Sequence, residues 1–349
     1  MGDRVGIREV AAMAGVSLGS VSHYLNHPER VSAASAERIQ IAIDALGFVR
    51  NGAAGQLRHG RSNLIAHIAP NVSTPSFNAM NDGAITAATE LDLSMFIAST
   101  QGSRTLEDSF LSVVEQMRVD GIIVASRDSI EDRLQPIRKR GTPVVLMGQH
   151  ARLREQPSVS ADDVRGGYLV GEHFAKQGRM KVAFVGGPLS FHSVANRYQG
   201  LVKSLQGTRA RIEIVNTVER TTGEGIQIAQ EILRRHPENR PDAIFCVNDL
   251  LALGVLQVLN ETPQLRVPQD IALVGYDDTP FAKVSLIPLS SVRAADQRLG
   301  ETAVKLLHEA IERLHPDPSR RRAAPEARHV VYQPELMVRA SSSTRVSSP

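Results

Sequence analysis

Residues 7–26 read IREVAAMAGVSLGSVSHYLN, and their spacing predicts two short helices joined by a tight turn. Ile7, Val10, Ala11 and Ala14 recur at i, i+3, i+4 and i+7, the stripe of one helix face. Gly15 follows where a helix leaves through a positive φ, and Val16 plugs the small core beneath. Ser17 is placed to cap a second helix, on which Leu18, Gly19, Ser20, Ser22 and His23 face away from the inward Val21 and Leu25. Short polar side chains at a helix N-terminus can approach phosphates and base edges in a major groove. The pattern is that of a helix-turn-helix, and a generic helical hairpin cap is the alternative for these twenty residues alone.

The next residues argue against that alternative. Asn26, Pro28 and Val31 form a turn, and Ser32 caps a third helix with Ile39, Ile41, Ala42, Ala45 and Leu46 as its apolar stripe. A three-helix headpiece over 1–50 results. The stretch VRNGAAGQLRHGRS at 49–62 carries small residues, one leucine and three arginines, too polar for a core, and reads as a hinge over 51–62.

From Ile7 to about Ala340 the chain resembles the LacI family of bacterial transcriptional regulators. The matching pieces are the headpiece segment, the hinge Asn51 to Arg61, SVSADD at 158–163, VAFVGGP followed by NRYQG, AIFCVNDLLALG and VPQDIALVGYDD. The resemblance implies a ligand-controlled homodimer that binds palindromic double-stranded operator DNA, with a periplasmic-binding-protein-like core. It places the paired recognition helices in successive major grooves and the paired hinges in the minor groove between them. The expected DNA contacts are Ser17, Leu18, Gly19, Ser20, Ser22, His23, Asn26 and Ser32 from the headpiece, and Asn51, Ala54, Leu57 and Arg58 from the hinge. Leu57 is the expected wedge into a central base step.

At 349 residues, the chain beyond the hinge is too long for one small domain and fits two α/β lobes. Apolar runs begin at 64, 94, 121 and 144, and a second series at 181, 211, 243 and 271, alternating with helical stretches. That alternation predicts parallel sheets, four strands to each series. A helical stretch at 296–314 and the strand-like HVVYQPELMV return the chain late, so the lobes exchange terminal segments. The expected two-lobed domain spans 63–340. Its first lobe takes about 63–160 and 294–325, its second about 161–293 and 326–340, with a disordered tail at 341–349.

Ligands in such folds lie at the carboxyl ends of strands, between the lobes. The residues there are Phe77, Phe191, Ser193, Arg197, Arg220, Asn248 and Asp277. The resemblance puts effector contacts at Phe77, Ser193, Arg197, Asn248 and Asp277. Phe77 as core, Asp277 as a turn cap and Arg197 as a surface pair stand as alternatives. Sugar-responsive members often carry an acidic residue where Gly148 and Gln149 stand here, and Arg220 falls near the place of an aromatic lid. Beside sugars in general, a sugar acid or related anionic metabolite held by Arg197 and Arg220 is therefore expected, with Asp296 as a possible counter-ion of Arg220.

Other classes find less support. The net charge is +3, and residues 1–62 carry seven arginines against five acids, which allows phosphate contacts without a polybasic field. The single cysteine, Cys246, sits in the apolar run AIFCV and gives neither a disulfide framework nor a cysteine-based metal site. The eleven histidines show no HExxH motif, so no metal is expected, and no cofactor motif is present either. GGPLS after a strand lacks the rest of a phosphate loop, and Pro188 removes a donor such a loop would use. The adjacent pairs Asp162–Asp163 and Asp277–Asp278 point opposite ways on a strand end and make a poor acid/base dyad. An enzyme is not expected. No basic start followed by an apolar run opens the sequence, and no run approaches a membrane span, so the cytoplasm is the expected location. The rival reading is a cytoplasmic small-molecule-binding protein without DNA-binding function. A repressor of transcription is the reading that uses the whole chain.

Overall fold

The computed structural model describes residues 5–49, 61–314 and 328–343. The chain divides into two units, 1–62 and 63–349.

The first unit is built from α1 (Ile7–Ala14), α2 (Leu18–Asn26) and α3 (Ala33–Leu46), with one turn of 3-10 helix at Pro28–Arg30. Helix α1 buries Val10, Ala11 and Ala14, the spacing read from sequence, and ends at Gly15 with φ 63°. The left-handed turn lets the Val16 N–H donate back to the Ala11 carbonyl at 3.1 Å. Ser17 caps α2, its hydroxyl accepting from the Ser20 N–H at 3.0 Å. Ser32 occupies the N-cap position of α3, but its hydroxyl donates to the Ser35 hydroxyl instead of accepting from a backbone N–H. The stripe of α3 also differs from expectation. Ile39 and Ala42 are buried and Ile43 and Leu46 pack beside them, whereas Ile41 is 59% exposed and Ala45 lies outward. Two residues along a helix are turned by about 200°, so Ile39 and Ile41 cannot share a face.

The second unit holds two six-stranded sheets. The first comprises β1 (Leu64–Ala69), β2 (Ser94–Ser99), β3 (Gly121–Val124), β4 (Val144–Met147), β5 (Ser158–Ala161) and β11 (His329–Tyr332), in the order β11-β5-β4-β3-β1-β2, all parallel. The second comprises β6 (Lys181–Val185), β7 (Arg211–Val215), β8 (Ala243–Cys246), β9 (Ala272–Tyr276), β10 (Ser290–Arg293) and β12 (Glu335–Met337), in the order β12-β10-β9-β8-β6-β7, with only β12 antiparallel. The eight apolar runs of the sequence are eight of these strands. The continuous apolar character of β1, β3, β4, β6, β8 and β9 fits strands covered on both faces, whereas the edge strands β2 and β7 are partly exposed.

Helices α4 (Pro75–Glu90), α5 (Arg104–Gln116) and α6 (Glu131–Lys139) belong to the first lobe, and α7 (Asp163–Lys176), α8 (His192–Leu205), α9 (Thr222–Arg234), α10 (Asp249–Asn260) and the short α11 (Pro280–Val284) to the second. Helix α12 (Asp296–Leu314) returns to the first lobe and packs on α4 and on β3, β4 and β5. That contact is close. A Cβ on Gly83 would fall 2.0 Å from the Gln297 carbonyl oxygen, and one on Gly300 would fall 1.8 Å from that of Met80. The chain crosses between lobes at 161–163, 293–296 and 332–335.

Two expected boundaries are corrected. Residues 329–332 were expected in the second lobe, yet β11 pairs with β5 of the first from His329↔Ser158 to Tyr332↔Ala161. HVVYQPELMV is two strands in two sheets, and Pro334, which cannot donate a ladder bond, stands in the break. The expected tail begins too early. Ser341 and Ser342 are fully buried, and the Ser341 hydroxyl donates to the Leu273 carbonyl at 2.6 Å.

Candidate functional site

On the headpiece, Ser17, Leu18, Gly19 and His23 are exposed, Leu18 at 46%. Ser20, Ser22 and Asn26 are half-buried and Ser32 is exposed. The Ser17 and Ser20 hydroxyls share a 2.9 Å hydrogen bond, and the Asn26 amide donates to the Ser22 carbonyl at 2.6 Å. Leu18 and Gly19 at the start of α2 and His23 in its last turn are thus the least committed of the expected contacts. Asn51, Ala54, Leu57 and Arg58 lie outside the described residues.

In the second unit, loops at the carboxyl ends of both sheets enclose a cavity of about 180 Å³. Strand order reverses between β1 and β3 in the first sheet and between β6 and β8 in the second, the crevice position of open α/β sheets. All seven expected effector residues, Phe77, Phe191, Ser193, Arg197, Arg220, Asn248 and Asp277, line this one cavity. A cavity near 150 Å³ takes a benzene-sized molecule, so this one suits a ligand of about one ring.

Arg197 is not a free fork. Its Nε donates to Asp163 Oδ1 at 2.8 Å, a second nitrogen donates to the Val247 carbonyl, and its guanidinium carbon lies 3.4 Å from the centroid of the Tyr276 ring. Tyr276 donates its hydroxyl to the same Asp163 oxygen at 2.9 Å. The surface-pair alternative for Arg197 is corrected to an inner one, because its side chain is 15% exposed and that of Asp163 is 9%.

Asn248 caps α10 by accepting from the Leu251 N–H at 3.0 Å, and its amide donates to the Arg220 carbonyl, also at 3.0 Å. Glu224 gathers the N–H groups of Val218, Glu219 and Arg220, at 2.6, 3.0 and 2.7 Å, which holds Arg220 at φ 60°. Asp277 also stands at positive φ, 106°, a conformation kept only where its surroundings impose it. Its neighbour Asp278 turns the other way and takes Arg293 and Arg339.

The carboxyl groups at the cleft floor are pushed toward their neutral forms. Burial raises Asp277 well above the carboxylate range, helped by Asp296 and opposed by Arg197. Burial likewise pushes Asp296 up to about 7. The expected neutralisation of Arg220 by Asp296 is absent. The charges acting on Arg220 are Arg127, Arg197, Asp277 and Glu224, and burial followed by the two arginines pushes it down to about 10. Sequence reasoning missed Arg127, which lines the cavity from the loop after β3. Its place just past a strand at the switch point was the available signal. Asp163 was seen only as half of an acid pair.

Cys246 is fully buried, as its apolar run implied, and burial raises its thiol far above the usual range. Among the described residues no group of three or more His, Cys, Asp or Glu is arranged to hold a metal, and no helix is long and apolar enough to cross a membrane.

Comparison with known proteins finds the model of bacterial regulatory proteins of the lacI family at residues 6–51, and that of periplasmic binding proteins and the sugar-binding domain of the LacI family at 62–328. The chain belongs to the LacI family. It is 30% identical over 343 residues to the HTH-type transcriptional regulator DegA of Bacillus subtilis, covering 97% of this chain and 98% of that protein. It is 28% identical over 338 residues to the HTH-type transcriptional repressor PurR of Mannheimia succiniciproducens, covering 96% and 98%. A solved complex of the transcriptional regulator CelR with cellobiose matches with TM-score 0.68 at 26% identity, over 97% of this chain and 100% of that one. A Lac repressor dimer bound to operator and the anti-inducer ONPF shares the fold, with TM-score 0.80 at 23% identity over 97% and 99%. This LacI-family chain is a DNA-binding transcriptional regulator with an effector-binding core, in a family of regulators and not of enzymes.

Proposed function

We propose that the chain is a homodimeric, cytoplasmic repressor whose affinity for a palindromic operator is set by a small molecule bound between its two lobes. The observation that carries the effector side is the convergence of Phe77 from the first lobe with Ser193, Arg197, Asn248 and Asp277 from the second on one cavity. A ligand held by both lobes favours one closure angle over others, and it can shift operator affinity only by that preference. The similarity to repressors and to a regulator solved with cellobiose supports both halves of the reading.

The second copy has a candidate face. Phe281, Val284 and Leu286, on and just after α11, are 55, 80 and 83% exposed within six residues, an apolar patch of the kind that marks an association surface. The Lac repressor dimer on operator supports a two-fold arrangement. On DNA, Ser17, Leu18, Gly19, Ser20, Ser22, His23, Asn26 and Ser32 form the headpiece contacts, and Asn51, Ala54, Leu57 and Arg58 those of the hinge, with the headpiece at 1–50 and the hinge at 51–62.

Selection of binding sites from a random double-stranded DNA pool by the full-length protein tests this function. Enrichment of two inverted half-sites about one helical turn apart is the expected result. A single unpaired half-site, or no enrichment over a pool without protein, contradicts it.

A further inference from the structure

Two guanidinium groups that come from different lobes lie close to the Phe191 ring. The guanidinium carbon of Arg127, in the loop after β3, is 5.5 Å from the ring centroid, and that of Arg220, in the loop after β7, is 5.1 Å. The two charges therefore stand no farther apart than the sum of those distances. Each stabilises itself on the ring face or edge, but a ring offers no acceptor for the five N–H donors of an arginine. Among the described residues neither side chain has a carboxylate within ion-pair distance or a hydrogen-bond acceptor, in contrast to Arg197, which is satisfied by Asp163 and the Val247 carbonyl. Both line the cavity.

Two like charges on the wall of one cavity repel, and burial followed by Arg127 pushes Arg220 down to about 10. Burial lowers Arg127 as well. An anion between them would remove the repulsion and supply the missing acceptors, and guanidinium forks match carboxylate and phosphate oxygens. The cavity wall also carries Asp277 and Asp296, whose carboxyl groups suit the hydroxyls of a ligand.

We infer that the effector is a one-ring polyhydroxylated metabolite bearing a carboxylate or phosphate, and that this anionic group bridges Arg127 of the first lobe and Arg220 of the second, latching the cleft. Arg197, the partner expected from sequence, is a positioning residue for Asp163 and Tyr276 and not the anion's ligand. The inference rests on the cleft being the effector site. It adds the ligand's charge, the residue Arg127, and a regulatory consequence: anion binding converts interlobe repulsion into attraction.

Inorganic phosphate is the probe. Thermal midpoints of the full-length wild type are compared in phosphate and in chloride at equal ionic strength, with Arg127→Gln, Arg220→Gln, the double variant and Arg127→Lys. Phosphate is expected to raise the wild-type midpoint above that in chloride, with apparent affinity about tenfold weaker in each glutamine variant, largely retained in Arg127→Lys and lost in the double variant. Because neither guanidinium has an ion-pair or hydrogen-bond partner among the described residues to lose, and removing both ends their repulsion, the double variant in chloride is expected to melt at or above the wild type. Glucuronate, glucose 6-phosphate and glucose form the second arm and separate a carboxylate from a phosphate ligand. Phosphate no more stabilising than chloride, or a shift undiminished in the double variant, overturns the inference. Glucose stabilising wild type and double variant alike, but not Asp277→Asn, also overturns it while leaving the cleft as effector site. A ligand unaffected by any of these substitutions sinks both.

Discussion

Removing the guanidinium of Arg197 leaves the Asp163 carboxylate inside the cleft with the Tyr276 hydroxyl as its remaining partner. Breaking a buried ion pair from one side costs about 3–5 kcal/mol, so Arg197→Ala is expected to unfold the core at markedly lower denaturant, measured by urea titration. A variant as stable as wild type would show that the pair is not buried in solution. Asp296 gives a pH signature. Its folded-state value near 7 lies above the ordinary 3.8, so the folded protein binds this proton more tightly than the unfolded chain. Stability from this group is therefore full at low pH and lost as pH rises between about 4 and 7. Asp249, pushed up to about 6 by burial, adds to the same slope. The thermal midpoint of wild type should fall between about pH 4 and pH 7, and that of Asp296→Asn should fall less. Parallel curves contradict the assignment. On the DNA side, the exposed imidazole of His23 is expected to read a base edge. His23→Ala should cost about 1–3 kcal/mol on the selected site and little on random DNA, by fluorescence anisotropy, whereas equal losses on both would reduce His23 to a phosphate contact.

At the scale of elements, the α4–α12 contact fixes one wall of the cleft, because Phe77 and Met80 on α4 and Asp296 and Leu299 on α12 all face the cavity. Gly300→Ala drives a methyl into the Met80 carbonyl and should destabilise the core by about 1–3 kcal/mol, read from urea unfolding, with unchanged stability as the contrary result. Such contacts mark the limit of what sequence carries. The strands were legible because a strand buried on both faces is a continuous apolar run, and α1 because its stripe and Gly15 agree. The division of 329–337 between two sheets was not, since apolar runs do not say which sheet they join. Ile41 was misplaced because an apolar residue was taken as inward without its angle on the helix. In the cleft, position at strand ends located seven lining residues, but the pairing of Arg197 with Asp163 and the isolation of Arg127 and Arg220 depend on distances across loops far apart in the chain.

For the whole molecule, two copies and two lobes must act together. Phe281→Asp places a charge in the apolar face after β9 and is expected to yield monomers by analytical ultracentrifugation, with operator affinity reduced by more than tenfold. A dimer of unchanged stability would move the interface elsewhere. The central claim is that a ligand held between the lobes sets operator affinity. Its most direct test is the affinity of full-length protein for its selected operator, titrated with the anionic metabolite that stabilises it, in wild type and in Asp277→Asn. The account predicts that the ligand changes wild-type affinity at least tenfold and leaves Asp277→Asn unmoved, with ligand-free affinities within about tenfold of each other. An operator affinity that responds equally in both proteins, or in neither while the ligand binds the wild-type cleft, would contradict it.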